Sequence, residues 1–117
     1  MFYACQNKGF QMTFANGWTV SVQWGPGNYC DCFSTSIDAP MKATNEIWKS
    51  ETAEIAAWHN RSEEWVNFGS DTVKGHLTAD EVMIVLQTIS TRGPDASVKL
   101  VSQLVQRRLR KAEQSAG

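Results

Sequence analysis

The sequence is poor in most of the features by which a small chain declares its chemistry. No apolar run approaches the roughly 18 residues of a membrane-spanning helix, so a soluble chain without membrane contact is expected. A leader peptide is not expected either, because Lys8 is followed by an alternating rather than a continuous apolar segment. Cysteine is scarce: Cys5, Cys30 and Cys32 are odd in number, fit no disulfide framework and read as reduced thiols of an intracellular protein. One residue separates Cys30 from Cys32, tighter than a zinc knuckle, and His59 and His76 lack paired spacing, so no metal site is expected. The motifs of covalent and phosphoryl chemistry are missing as well: no Gly-x-Ser-x-Gly elbow, no His-x-Thr pair, no His-Glu-x-x-His and no phosphate-binding Gly-x-x-x-x-Gly-Lys-Thr loop. The chain therefore reads as a non-enzyme that needs no cofactor.

Excess charge of one sign is also lacking. Eleven basic and twelve acidic residues give a net charge of -1, which disfavours nucleic acid as the primary partner. The distribution is uneven, with net -4 over residues 1–94 and net +3 over residues 95–117. A basic C-terminal helix on an acidic body suits a contact to another subunit, a match of cations to the helix C-terminus, or a weak nucleic-acid patch.

Aromatic residues, by contrast, are plentiful. Trp18, Trp24, Trp48, Trp58 and Trp65 are a heavy load for 117 residues, and not all of them fit inside so small a core. Two belong to a hairpin, Phe10 to Trp24, in which two alternating runs flank Asn16-Gly17. A two-residue turn at Asn16-Gly17 would put Phe10, Met12 and Phe14 on one face and Trp18, Val20, Val22 and Trp24 on the other. A three-residue loop, Ala15-Asn16-Gly17, with Gly17 left-handed in a G1 bulge, removes the conflict. It sets Phe14 opposite Trp18, Met12 opposite Val20 and Phe10 opposite Val22, and leaves Gln11, Thr13, Thr19, Ser21 and Gln23 to the other face.

Around the hairpin the chain reads as a single domain over residues 1–117, α+β in class, with an N-terminal antiparallel sheet of four or five strands over about 2–74 followed by two C-terminal helices. Phe2 to Gln6 is an edge strand or a packed tail. Gly25-Pro26-Gly27-Asn28 breaks the second hairpin strand, and Tyr29 to Glu51 reads as a structured loop anchored by Ile37, Met41, Ile47 and Trp48. Thr52–Trp58 and Glu64–Phe68 form a second hairpin, and Thr72–Lys74 a short edge ended by Gly75. Thr78-Ala79-Asp80-Glu81 is a capping box stapled by Leu77 and Val82, and it starts a helix over about 79–90 that buries Val82, Val85 or Met83, Leu86 and Ile89. Arg92-Gly93-Pro94 stops that helix. Asp95 caps a second over about 96–112, whose stripe of Val98, Val101, Leu104, Val105 and Leu109 is long enough to seek a partner in another protomer, and a homo-oligomer is expected.

A binding site is easier to argue than a catalytic one. The bend from Trp24 to Tyr29 brings two aromatic faces, the Asn28 amide and glycine-exposed backbone amides together, which suits a planar base and an anion. Trp24 or Tyr29 would stack the base, Asn28 and Asp71 would read polar edges or ribose hydroxyls, and Lys74 and Arg92 would meet phosphates.

The runs Asn16–Cys30, Thr52–Trp58, Asp71–Gly75 and Thr78–Val82 resemble those of small proteins encoded by bacteriophages, over roughly residues 9–90, and among these the chain resembles the anti-Thoeris sponge proteins. That resemblance implies a sheet-plus-helix oligomer in the host cytoplasm that sequesters a cyclic ADP-ribose-type nucleotide without turnover. The alternatives are a phage inhibitor or structural protein that engages another protein, and a small hydrolase acting on a nucleotide.

Overall fold

The computed structural model describes residues 1–4, 9–24 and 50–116. Expectations for Cys5, Asn28, Tyr29, Cys30, Cys32 and the loop over residues 29–49 lie outside the described residues. Five strands form one antiparallel sheet in chain order: β1 (Phe2–Ala4), β2 (Gly9–Thr13), β3 (Trp18–Gln23), β4 (Thr52–His59) and β5 (Lys74–Thr78). Helices α1 (Ala79–Ser90) and α2 (Val98–Ala116) follow, so the α+β class, the N-terminal sheet and the two C-terminal helices are as the sequence indicated.

Side-chain parity fixes the β2–β3 register. Phe10 faces Val22, Met12 faces Val20 and Thr13 faces Thr19. The Phe14 amide donates to the Trp18 carbonyl at 2.9 Å and the Gly17 amide to the Phe14 carbonyl at 3.0 Å, while Gly17 sits at φ 87°. The three-residue loop is therefore the one formed, because it alone keeps both apolar rows on one face. That face carries Trp18, Val20, Val22, Ile55 and Ala57 into the core, where α1 packs across β3, β4 and β5. The opposite face carries the Thr13–Thr19 hydroxyl pair at 2.8 Å and a bond from Gln23 Nε2 to Ser21 Oγ at 2.9 Å. At the sheet's far edge β1 pairs with β2, setting Phe2 opposite Met12 and Ala4 opposite Phe10.

The capping box of α1 is complete: Glu81 N–H donates to Thr78 Oγ1 at 3.2 Å and Thr78 N–H to Glu81 Oε1 at 3.0 Å. Val82, Val85, Thr88 and Ile89 are buried, and the Thr88 hydroxyl returns to the Ile84 carbonyl at 2.7 Å. Met83 turns outward, and Leu86 is only half-buried.

Four expectations are corrected. Residues 64–68 are not a strand. Trp65 makes a single bridge to Trp58, and then Asn67 N–H donates to Ser102 Oγ at 2.9 Å while its carbonyl accepts from Gln106 Nε2 at 2.8 Å, so α2 draws the chain off the sheet. The last strand is β5, starting at Lys74 and passing through Gly75 rather than ending there. Its bulge sets Gly75 and His76 against Glu54, with His76 at φ 60°. Helix α2 is capped by Ser97, whose Oγ accepts from Leu100 N–H at 3.1 Å, because Gly93 to Ala96 closes a turn that leaves Asp95 outside the helix. It also continues to Ala116, past the expected end near 112. Of the α2 stripe, Val101, Val105 and Leu109 are buried with Val66, Phe68 and the inner face of α1, whereas Val98 and Leu104 are half-buried.

Candidate functional site

Of the residues singled out for binding, Trp24, Asp71, Lys74 and Arg92 are among the described residues, and Trp24 and Arg92 stand far apart. Trp24 follows the last residue of β3 and packs edge-on against Phe10, with ring centroids 6.4 Å apart. Arg92 lies just beyond α1, where its Nε donates to the Thr88 carbonyl at 2.9 Å and its Nη2 to Thr91 Oγ1 at 3.2 Å. Its carbonyl accepts from Asn16 in the loop that precedes β3. Trp24 and Arg92 thus sit at opposite ends of β3, roughly 20 Å apart along the strand. The Arg92 guanidinium is thus engaged with the Thr88 carbonyl and the Thr91 hydroxyl at the end of α1. Lys74 begins β5 opposite Ile55 and is half-buried. Asp71 shapes the turn before it, its Oδ1 accepting from Thr72 N–H at 2.7 Å and its carbonyl from Phe68 N–H at 2.9 Å.

The histidines are equally far from acting as a pair. His59 ends β4, whereas His76 stands opposite Glu54 near the other end of that strand. His59 is 6% exposed, and its Nδ1 accepts from Arg61 N–H at 3.0 Å, which leaves Nε2 as the ring nitrogen able to donate. That Nε2 faces Gly17 and is buried without a hydrogen-bond partner among the described residues, as is Trp18 Nε1. The two rings meet edge to face at 5.1 Å. His59 is thereby a packing and turn-forming residue, with both nitrogens turned to the protein. Among the described residues no three His, Cys, Asp or Glu side chains are grouped to hold a metal ion, and no helix is long and apolar enough to cross a membrane.

The concavity that sequence reasoning missed lies where the turn after β4 meets the start of α2. It is a cleft of about 350 Å³ bordered by Arg61, Ser62, Glu64, Asp95 and Ser97, with His59 at its base. Arg61 Nη2 donates to the Pro94 carbonyl at 3.3 Å, tying the two walls together. The first turn of α2 contains no acidic residue, so the positive end of a long helix opens here uncompensated within the helix. Glu64 and Asp95 place two carboxylates on the same rim. Immediately after Glu64, Trp65 stacks on Trp58, centroids 5.0 Å apart and planes 25° apart, and remains 42% exposed. Trp58 stands beside Thr19 on the sheet face away from α1, and Thr19 Oγ1 donates to Asn60 Oδ1 at 2.9 Å. The only advance signal for this place was the tryptophan count, which asked for rings outside the core.

A second groove, of about 380 Å³, runs between α1 and α2 past Gln87, Arg108 and Lys111, with Arg108 Nη1 on Thr88 Oγ1 at 3.2 Å. No protein-family model, no curated protein and no solved structure matches the chain.

Proposed function

We propose that the chain is a non-catalytic binding protein that sequesters a small, planar, anionic ligand of the nucleotide class. A cyclic ADP-ribose-type signal in the host cytoplasm is the instance that the phage-protein resemblance implies. The reading rests on the segment 59–65, which offers the Arg61 guanidinium beside the start of α2 and, four residues later, a tryptophan face held rigid by its stack on Trp58. Phosphate oxygens take the guanidinium and the Val98 and Lys99 amides at the start of α2, the Leu100 amide being held by Ser97. The carboxylates of Glu64 and Asp95 accept from ribose hydroxyls, and a base lies on the open face of Trp65. Titration calorimetry with cyclic ADP-ribose isomers and linear nucleotides, followed by chromatography of the released ligand, tests it. Trp65→Ala should weaken binding roughly 5- to 150-fold, the effect of losing one base–aromatic stack. No measurable binding by the wild-type chain, or recovery of a hydrolysed ligand, refutes the reading.

A second reading, an interaction module or homo-oligomer, is favoured by β1. This edge strand is exposed at all three positions, bears no charge or proline, and presents Phe2 and Tyr3 to solvent. Light scattering coupled to size-exclusion chromatography separates the cases: a larger species that Phe2→Lys converts to monomer supports it, and a wild-type monomer refutes self-association.

A further inference from the structure

The hairpin loop and the end of α1 are joined by one side chain. Asn16 Nδ2 donates to the carbonyls of Ile89 at 2.9 Å and Arg92 at 3.0 Å, with a longer approach of 3.4 Å to Ser90, while Asn16 Oδ1 accepts from Trp18 N–H at 3.0 Å. The amide therefore ties the last turn of α1, at the Ile89 carbonyl, to the chain just beyond it, at the Arg92 carbonyl, from 73 to 76 positions away in sequence. Its successor is Gly17, and an asparagine followed by glycine is the least hindered arrangement for attack of a backbone nitrogen on a side-chain amide.

We propose that Asn16 is a deamidation site and that its modification irreversibly releases the hairpin from the end of α1. In the reaction the Gly17 backbone nitrogen bonds to Asn16 Cγ and loses its proton, and the Nδ2 group leaves as ammonia, closing a five-membered succinimide. Water then opens either carbonyl of that ring, giving aspartate or its isomer linked through the side chain. The closed loop resists this chemistry, because the Gly17 nitrogen donates to the Phe14 carbonyl at 3.0 Å and both ends of the Asn16 amide are held. Modification therefore proceeds from a locally opened loop. Once formed, a carboxylate has no proton to donate. It would face the carbonyls of Ile89 and Arg92 at the negative end of α1, where like charge repels. The clasp cannot then close again, and the isomer adds a backbone atom that shifts Phe14 away from Trp18. The segment released, starting at Arg92, leads directly into the Pro94–Ser97 wall of the cleft. This inference stands apart from whatever ligand the cleft takes.

The full chain is incubated at mildly alkaline pH with and without urea, and isoaspartate and aspartate at position 16 are followed by peptide mapping. The product should form at least about 10-fold more slowly in the native buffer, since opening must come first. Deamidated protein separated from the aged native sample by ion exchange, and independently the Asn16→Asp variant, should melt roughly 5–10 °C below wild type. Asn16→Ser, whose shorter side chain loses the Nδ2 donors without adding charge, should melt between wild type and Asn16→Asp. If Asn16→Asp does not fold, the aged wild type and Asn16→Ser carry the comparison. Equal rates in both buffers, or a deamidated protein that melts with the wild type, overturns the proposal.

Discussion

A single methyl group added at Gly9 would collide with backbone, a harsher contact than at Gly17, Gly69 or Gly93. Gly9 opens β2 opposite Gln23 at φ 140°, and an added Cβ would lie 2.1 Å from the Val22 carbonyl oxygen and 2.7 Å from Gln23 Cα. Both are backbone atoms of the central strand β3, so no rotamer change makes room. The dihedral alone costs an L-residue about 1–3 kcal/mol. Relieving the collision means parting the end of the β2–β3 ladder, at about 1 kcal/mol for each hydrogen bond given up. Gly9→Ala should therefore lose about 3–5 kcal/mol, against a total stability of about 5–15 kcal/mol for domains of this kind. Gly93→Ala is the matched control, because a Cβ there meets no atom within 4 Å. It should stay within about 1 kcal/mol of wild type. Equilibrium urea unfolding, followed by tryptophan fluorescence and far-ultraviolet circular dichroism, should put the Gly9→Ala midpoint roughly 2 M below that of Gly93→Ala. Hydrogen exchange should show the loss concentrated in β1 and β2, since β1 pairs with β2 alone. Midpoints that agree within about 0.5 M would refute the steric reasoning.

Two further substitutions test the helical layer. Thr78→Ala removes the acceptor for Glu81 N–H and should cost about 1 kcal/mol in thermal melts; an unchanged melting temperature would mean the cap contributes nothing to the folded state. Ser102→Ala leaves Asn67 N–H without its partner and should cost about 1–3 kcal/mol by urea unfolding, with faster exchange at Asn67 than at Val66; unaltered exchange there would count against the contact.

What could be read in advance was whatever neighbouring residues settle between themselves. The hairpin register followed from parity alone, because only the three-residue loop puts Phe14 and Trp18 on the same face. The start of α1 followed from four consecutive residues, Thr78 to Glu81. Residues 64–68 had the composition of a strand, yet Ser102 and Gln106, on a helix far along the chain, decide where Asn67 goes. The same distance hid the role of Asn16, which reads locally as a turn residue and in three dimensions caps α1. Of the candidate site, Arg92 and Trp24 carried suitable chemistry, but the fold uses the guanidinium on the Thr88 carbonyl and the indole against Phe10. Arg61 and Trp65 gave no motif, because their neighbourhood is made by the first turn of α2 and by Trp58.

The strand order has a consequence for how this sheet assembles. Each strand pairs with its neighbour in the chain, two of the four pairings closing over four residues and one over residues 60–73. The longest connection belongs to the central pair, β3 with β4, which must first bring together the two ends of residues 24–51, whereas β2 and β3 are joined by residues 14–17 alone. Closing the longer connection costs roughly 2 kcal/mol more in chain entropy. The pairing that buries Trp18, Val20 and Ile55 is therefore also the slowest to find. The hairpin around Asn16 and the helix pair can form as local units, and the molecule becomes cooperative only when β4 docks beside β3 and joins the hairpin to β5 and α1.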